Sequence, residues 1–351
     1  MKILAVNAGS SSVKAAVFEG GAPLAEGEVT RLSGDPVLSA SGVDEALPCG
    51  IGAPYAALAL AERLGAAPDV VAHRIVHGGD RPGPERLTDA ALDALAGLAP
   101  FAPLHQPGSL AIARALRAAM PDADHVGCFD TAFHQTVPPG RTMFAVPTDL
   151  RPEGVRRYGF HGLSYAHTGG WLAAEHPSLS RVVALHLGSG ASLCALRDGR
   201  SVATTMSLTP LDGVPMGTRS GALDPGYLLY LMRQGLTADG IEDALYRRSG
   251  LLGLSGVSND VRDLRASDDP AAAMALEVFA DRVAEAAAAL TVPLGGVDAF
   301  VFSGGIGVND AAMRDAVTER LAHLGTVPVL VNDADEQSVM AAQAARLLAR
   351  A

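Results

Sequence analysis

The sequence predicts an α/β chain of two sheet-based units related by duplication. Three observations carry this reading. Residues 2–18 spell a strand, a small-residue loop and a second strand. The same pattern returns at 181–206, and a further strand at 298–302 runs into a glycine turn and a helix. At 351 residues the chain is too long for one ordinary core, which favours two domains.

Taken in order, 2–6 and 13–18 are apolar β-type runs around Asn7-Ala8-Gly9-Ser10-Ser11-Ser12, the signature of a hairpin. Segments 19–54 and 82–99 carry less pattern and suit surface strands, loops and a helix. Residues 109–120 and 337–349 are Ala-rich and predict helices. Mid-chain, strand 181–187 leads through Gly188-Ser189-Gly190-Ala191-Ser192 to strand 193–196. Asp198-Gly199 then makes a tight turn into strand 201–206. Pro270 can open a helix over 271–290, with Leu276, Phe279, Val283 and Leu290 on one face. Strand 298–302 enters Ser303-Gly304-Gly305-Ile306-Gly307, and a helix is expected from Asn309-Asp310 to 322. A strand, glycine turn and helix is a phosphate-binding geometry, although alone it also describes any tight turn.

Composition excludes several functions. Hydrophobic residues are 48% and charged residues 19%, which is a core-forming balance. The net charge of -11, without a basic run, argues against nucleic acid. Cys49, Cys128 and Cys194 form no CxxC, so redox and thiolate-metal motifs are absent and a reducing cytoplasm is expected. The apolar run at 1–6 is too short for a signal peptide, and no run is long enough to span a membrane. Lysine occurs only at positions 2 and 14, which makes Lys14 conspicuous beside the first small-residue loop.

Phosphoryl transfer needs charge neutralisation and close backbone approach to phosphates. Small-residue loops at 7–12, 188–192 and 303–307 each follow a strand. Neither a GxxxxGK[ST] motif nor a protein-kinase motif set is present. Two hairpin loops plus one strand–glycine–helix loop are instead the pattern of the actin, sugar-kinase and heat-shock ATPase superfamily. Five further loops place Arg or His at Gly or Pro boundaries: 73–79, 102–107, 129–134, 157–162 and 209–221.

On these residues the chain resembles the acetate kinase family, of acetate and propionate kinases. The matching segments are 6–14, 73–79, 102–107, 129–135, 158–162, 186–192, 204–211, 216–221 and 255–264, in family order. The resemblance implies a duplicated actin-like (ribonuclease H-like) two-domain fold, with mixed sheets flanked by helices and nucleotide in the interdomain cleft. The domains would be 1–129 plus 338–351, and 130–337. It also implies a cytoplasmic homodimer that uses ATP/ADP and Mg2+ or Mn2+. Arg74 and Arg219 would hold the carboxylate and the transferring phosphoryl group, and His161 would hydrogen-bond its oxygens. Asp130 and Glu336 would bind or orient the metal and its waters. Asn7, Ser10, Ser12 and Lys14 would line the phosphate loop near the metal. Val76, Leu104, Phe160 and Pro210 would surround the acyl methyl, with His105 behind them. Asp260, Val261, Arg262, Gly305, Ile306 and Asn309 would take the adenosine, with His186 and Gly190 near the phosphates.

The chemistry agrees. A carboxylate is already ionised at neutral pH and needs no general base. Two anions must instead be brought together, for which planar, bidentate Arg is suited. Four positions depart from the family pattern: Val308 for Glu, Ser189 for Asn, Gln106 for Asn, and Glu336-Gln337 for a Glu pair, preceded by Asp335. The first two bear on the phosphoryl donor and the last on whether Asp335 or Glu336 serves the metal. The expected activity is reversible Mg-dependent phosphoryl transfer between ATP and acetate. Alternatives are a propionate or butyrate kinase, another donor, or a non-catalytic nucleotide-binding protein.

Overall fold

The computed structural model describes residues 1–9, 12–32 and 34–350. Two compact units emerge: Met1–Gln135 with Asp335–Ala351, and Thr136–Ala334.

The first unit is built on β1 (Lys2–Ala8), β2 (Val13–Glu19), β3 (Ala22–Thr30), β4 (Val37–Ala40), β5 (Val43–Ala46), β6 (Val70–Ile75), β7 (Glu85–Arg86) and β8 (Asp124–Phe129). Their order is β5-β4-β3-β2-β1-β6-β8-β7. The hairpin β1–β2 is antiparallel, with Asn7 opposite Lys14, whereas β6 and β8 add in parallel. β1 is apolar on both faces because both are covered, as parallel strands require. Leu4, Val6 and Ala8 pack with Val71, Ala57, Leu60, Ile112 and Leu116, under the helices Ala53–Arg63 and Gln106–Ala119. Side chains alternate along a strand, so Asn7 points to the other face. There the helix Glu336–Leu348 lies across β1 and β6. This alternation is what brings Asn7, Arg74 and Glu336 together.

The same alternation puts His73 on the opposite face from Arg74, fully buried. Its Nε2 lies 2.9 Å from Nδ1 of His125, whose Nε2 lies 3.1 Å from the Met120 carbonyl. Burial first, then the neighbouring His125 and Arg117, push the His73 pKa down to about 3. A folded-state value below the unfolded ~6.5 means that the unfolded chain binds the extra proton. The stability from neutral His73 is complete above pH ~6.5 and is lost as pH falls towards 3. Urea midpoints at pH 7.5 and 5 should therefore fall with acid, and fall less in His73→Leu.

The second unit holds β9 (Arg181–Leu187), β10 (Ala191–Arg197), β11 (Arg200–Thr204), β12 (Ala299–Ser303) and β13 (Val329–Val331), in the order β11-β10-β9-β12-β13. β9, β10 and β11 are antiparallel neighbours, and β12 and β13 are parallel. The set β3-β2-β1-β6-β8 has the same order and directions, so the duplication read from the sequence is present in both sheets.

Two expectations need correction. The helix placed after the glycine turn at 303–307 begins within it: Gly304–Asn309 is already helical, and a second helix, Ala311–Arg320, follows. Asp310 breaks the run by capping the second helix through the Met313 N–H. The helix Pro270–Leu294 buries Phe279, Val283 and Leu290 as expected, but Leu276 is only half-buried. The rest of its buried stripe is mainly alanine, Ala272, Ala275, Ala280, Ala284 and Ala287. Small side chains let this helix lie close on β10 and on the helix Gly250–Ser255. No helix of the described residues is long and apolar enough to cross a membrane.

Candidate active site

In the first unit, three elements converge on Arg74 of β6. Its Nε and Nη2 donate to the two carboxylate oxygens of Asp130 at 3.0 and 2.7 Å. Its Nη1 donates to Asn7 Oδ1 at 3.0 Å and lies 3.4 Å from Glu336 Oε2. Asn7 Nδ2 in turn donates to Glu336 Oε2 at 2.7 Å. Asp130 is fully buried where β8 passes into a 3-10 turn. Burial alone would weaken the Arg74 charge, but Asp130 and Glu336 outweigh it and hold the guanidinium's pKa above its ordinary value. Such a fork–fork pair is geometrically exact and permits little motion.

The loop after β6 is clamped beside this cluster. Gln106 Oε1 accepts from the His77 N–H at 3.0 Å, and its Nε2 donates to the His77 and Leu95 carbonyls. The Gly78 N–H donates to Thr131 Oγ1, and a Cβ on Gly78 would lie 2.6 Å from Phe129. Gln106 is thus a buried brace. Val76 is buried on this loop, Leu104 is half-buried, and His105 stands at the N-cap position of the helix Gln106–Ala119.

Asp335 and Glu336 separate by role. Asp335 caps the last helix through the Ser338 N–H at 2.9 Å, whereas Glu336 joins Asn7 and Arg74. Lys14 is exposed on β2, 3.9 Å from Glu28. Ser12 closes the first loop by accepting from the Gly9 N–H at 2.8 Å, and Ser10 lies outside the described residues.

The second unit presents a different convergence. His161 adopts a left-handed backbone (φ 57°) at the start of the helix Gly162–Glu175. Its Nδ1 is 2.8 Å from Ser192 Oγ, and its ring centroid is 4.3 Å from that of His186. Arg219 is buried and donates from Nη1 to the Pro210 carbonyl at 2.7 Å. A Cβ on Gly190 would lie 2.8 Å from Arg219 Nη2 and 3.2 Å from His161 Nε2. Both nitrogens therefore face the same spot over the Gly190 backbone, and only glycine leaves it open. Two backbone bonds fix that loop: the Gly188 N–H donates to Gly190 O, and the Gly217 N–H to Ser189 O. Phe160 is buried next to His161.

The residues expected to take adenosine form a third group. Asp260 caps the helix Val261–Ala266 and is paired with Arg262, whose hydrogen bonds hold its carboxyl below the ordinary range. Val261 is buried. Gly305 and Asn309 are exposed, Ile306 is half-buried, and Asn309 Nδ2 donates to Gly305 O at 2.9 Å. Arg265 pairs with Asp310 at 2.8 and 2.9 Å, which ties segment 260–266 to segment 304–310. Sequence reasoning missed Arg265, Asp310, Tyr165 and Ser192 as supporting residues. A cavity of about 1000 Å3 on this unit, lined in part by Arg157, Ser220, Arg248 and Leu254, holds none of the expected catalytic residues.

Two arginines held by buried acceptors, with a histidine beside one of them, suit an enzyme that neutralises and transfers phosphoryl groups. The model of the acetokinase family matches residues 55–347. The acetate kinase of Nitrobacter hamburgensis is 44% identical over 346 residues, covering 92% of this chain and 85% of that one. Among solved structures, a propionate kinase from Francisella tularensis superposes with a TM-score of 0.89 at 31% identity, covering 97% and 98% of the chains. An acetate kinase from Porphyromonas gingivalis gives 0.85 at 30% identity, covering 99% of each. The class is thus a phosphotransferase with a carboxyl group as acceptor. Within it, this chain belongs to the acetokinase family.

Proposed function

We propose that this chain moves the γ-phosphoryl group of ATP reversibly to acetate in the cytoplasm, and that its two units act as the two domains of that catalyst. The observation that carries this reading is the pair of guanidinium groups locked by buried acceptors, Arg74 on Asp130 and Arg219 on Pro210 O. Arg74 takes the carboxylate, which is nucleophilic without a base. Arg219 and His161 meet the phosphoryl oxygens as N–H donors, and Val76, Leu104, Phe160 and Pro210 are the apolar side chains for the acyl methyl. Asp260, Val261, Arg262, Gly305, Ile306 and Asn309 hold the adenosine.

Among the described residues no three His, Cys, Asp or Glu side chains form a ready metal cage. Mg2+ does not need one, since it binds one or two carboxylates plus phosphates and waters. Glu336 Oε2 with the Asn7 amide is such a donor set, with Asp130 behind Arg74. When bound, such an ion would supply neutralisation of phosphate charge. Asn7 and Glu336 would orient it, and Arg74 pairs with both Asp130 and Glu336.

The test is trapping of acyl phosphate with hydroxylamine, using Mg-ATP and acetate, propionate or butyrate. Hydroxamate with acetate, absent in Arg219→Ala, is expected. Hydroxamate only with longer acids, or only with GTP or pyrophosphate, would replace the substrate or donor. None with any combination would overturn the reading.

A homodimer belongs to the same proposal. The helix Pro225–Arg233 buries none of its residues and exposes Tyr227, Leu229, Tyr230 and Met232. An exposed apolar surface of that kind marks an interaction surface. Light scattering should give twice the chain mass for the wild type and a single chain for Leu229→Asp/Tyr230→Asp.

A further inference from the structure

His161 can meet a phosphoryl oxygen as a donor only if its proton sits on Nε2, the nitrogen that faces the space over Gly190. An imidazole of the opposite tautomer would present a lone pair to an anion. Which form is present depends on what Nδ1 does.

Nδ1 is 2.8 Å from Ser192 Oγ, and Ser192 Oγ is 2.6 Å from the hydroxyl of Tyr165. All three atoms belong to the second unit, and Ser192 and Tyr165 are fully buried. The chain His161–Ser192–Tyr165 could run its protons in either direction. The far end sets the direction. A phenol is a stronger hydrogen-bond donor and a weaker acceptor than an aliphatic hydroxyl, so in this pair the Tyr165 O–H is the donor. Burial, above all, holds the phenol well above its ordinary pKa, so it keeps its proton. The phenol proton is thus directed to Ser192 Oγ at 2.6 Å. Ser192 then accepts from Tyr165, and its single proton turns to Nδ1 of His161. Each hydroxyl in the line then donates one hydrogen bond, as a buried polar line favours.

We propose that Tyr165 and Ser192 are positioning residues that orient one line of protons, from Tyr165 to His161, and so hold His161 as the Nε2–H tautomer that donates to the transferring phosphoryl group. The helix Gly162–Glu175 makes this possible by placing His161 at its first turn and Tyr165 four residues on, so that both lie over β10 at Ser192. The His186 ring, hydrogen-bonded by Ser164 Oγ at 2.8 Å and lying against His161, keeps the imidazole from rotating. The catalytic part of this inference rests on the proposed acyl kinase reaction, while the tautomer does not.

The experiment has two readouts. Long-range 1H–15N correlation spectra of the full-length, ligand-free protein, with His161 assigned by His161→Gln, report which ring nitrogen carries the proton. The Nε2–H form is expected in the wild type, and a mixture of forms in Tyr165→Phe, a near-isosteric change that removes only the hydroxyl. Steady-state kinetics on the same proteins should show kcat falling roughly tenfold to a hundredfold in Tyr165→Phe and Ser192→Ala, with KM for ATP within about twofold. Wild-type His161 protonated on Nδ1 would overturn the proposal. So would a Tyr165→Phe variant with unchanged tautomer and unchanged kcat, or one in which KM and kcat decline together with loss of fold by circular dichroism. An Nε2–H wild type that loses this preference in Tyr165→Phe, yet yields no acyl phosphate, would leave the relay standing and remove the reaction.

Discussion

Arg219→Lys is expected to lose at least about a hundredfold in kcat while KM for ATP changes less than about threefold. The guanidinium does two things at once. Nη1 is held by the Pro210 carbonyl at 2.7 Å, and Nη2 is thereby aimed at the space over Gly190. A planar fork can divide its donors in this way, whereas an ammonium is a point charge on a flexible stem. Lysine keeps the charge, so ground-state attraction for phosphate persists while the aim is lost. Steady-state rates at saturating acetate with varied ATP decide the matter. Equal loss in kcat and in nucleotide affinity would show that Arg219 merely binds. The backbone around it should hold in the variant, because the Met216 N–H bonds to Arg219 O and the Gly217 N–H to Ser189 O, neither through the side chain.

Arg74→Ala should cost both activity and fold stability, the latter by about 3–5 kcal/mol. The side chain is the shared partner of Asp130 and Glu336, and Asp130 has no access to solvent. Removing the cation leaves a buried carboxylate whose desolvation is no longer offset. The double variant Arg74→Met/Asp130→Leu removes that penalty and should recover most of the stability in urea titration. It should remain without turnover, since the guanidinium proposed to take the substrate carboxylate is gone. If Arg74→Ala unfolds at the wild-type midpoint, the ion pair is not what holds β6, β8 and the last helix together at this point.

Much of this architecture is legible from residue order alone, for identifiable reasons. β1, β2, β9 and β12 announce themselves as short apolar runs because each is buried on both faces and bounded by small residues. β3 and β5 do not, because most of their side chains face solvent and polar residues such as Glu26 and Glu28 break the apolar signal. Gly304-Gly305 pointed to a turn since glycine is a poor helix former, but Gly304 enters the helix from φ +73° with Leu187 O only 2.7 Å from where a Cβ would be. The residues around Arg74 were named from motif resemblance. Their mutual bonding was beyond reach, because Asn7 and Glu336 are 329 positions apart and meet only through the pleat of β1 and the closing helix. Gln106 stood out as a departure from the family pattern, and only its three hydrogen bonds explain it as a loop brace. Ser192 was legible only as the end of the small-residue loop 188–192, and Tyr165 carried no signal, since a buried tyrosine on a helix reads as ordinary packing.

The scarcity of lysine has a consequence for a protein whose product is an acyl phosphate. Such mixed anhydrides acylate free amines, and the catalyst lives at the highest local concentration of its own product. Here the side-chain amines are Lys2 and Lys14 alone, with Lys14 exposed on β2 beside Glu28, and arginine supplies the cations elsewhere. A guanidinium stays protonated at neutral pH and is a poor nucleophile. Arg74 and Arg219, the guanidinium groups proposed to handle carboxylate and phosphoryl groups, are therefore not acylated by the product, and amine acylation of this chain is confined to Lys2, Lys14 and the amino terminus.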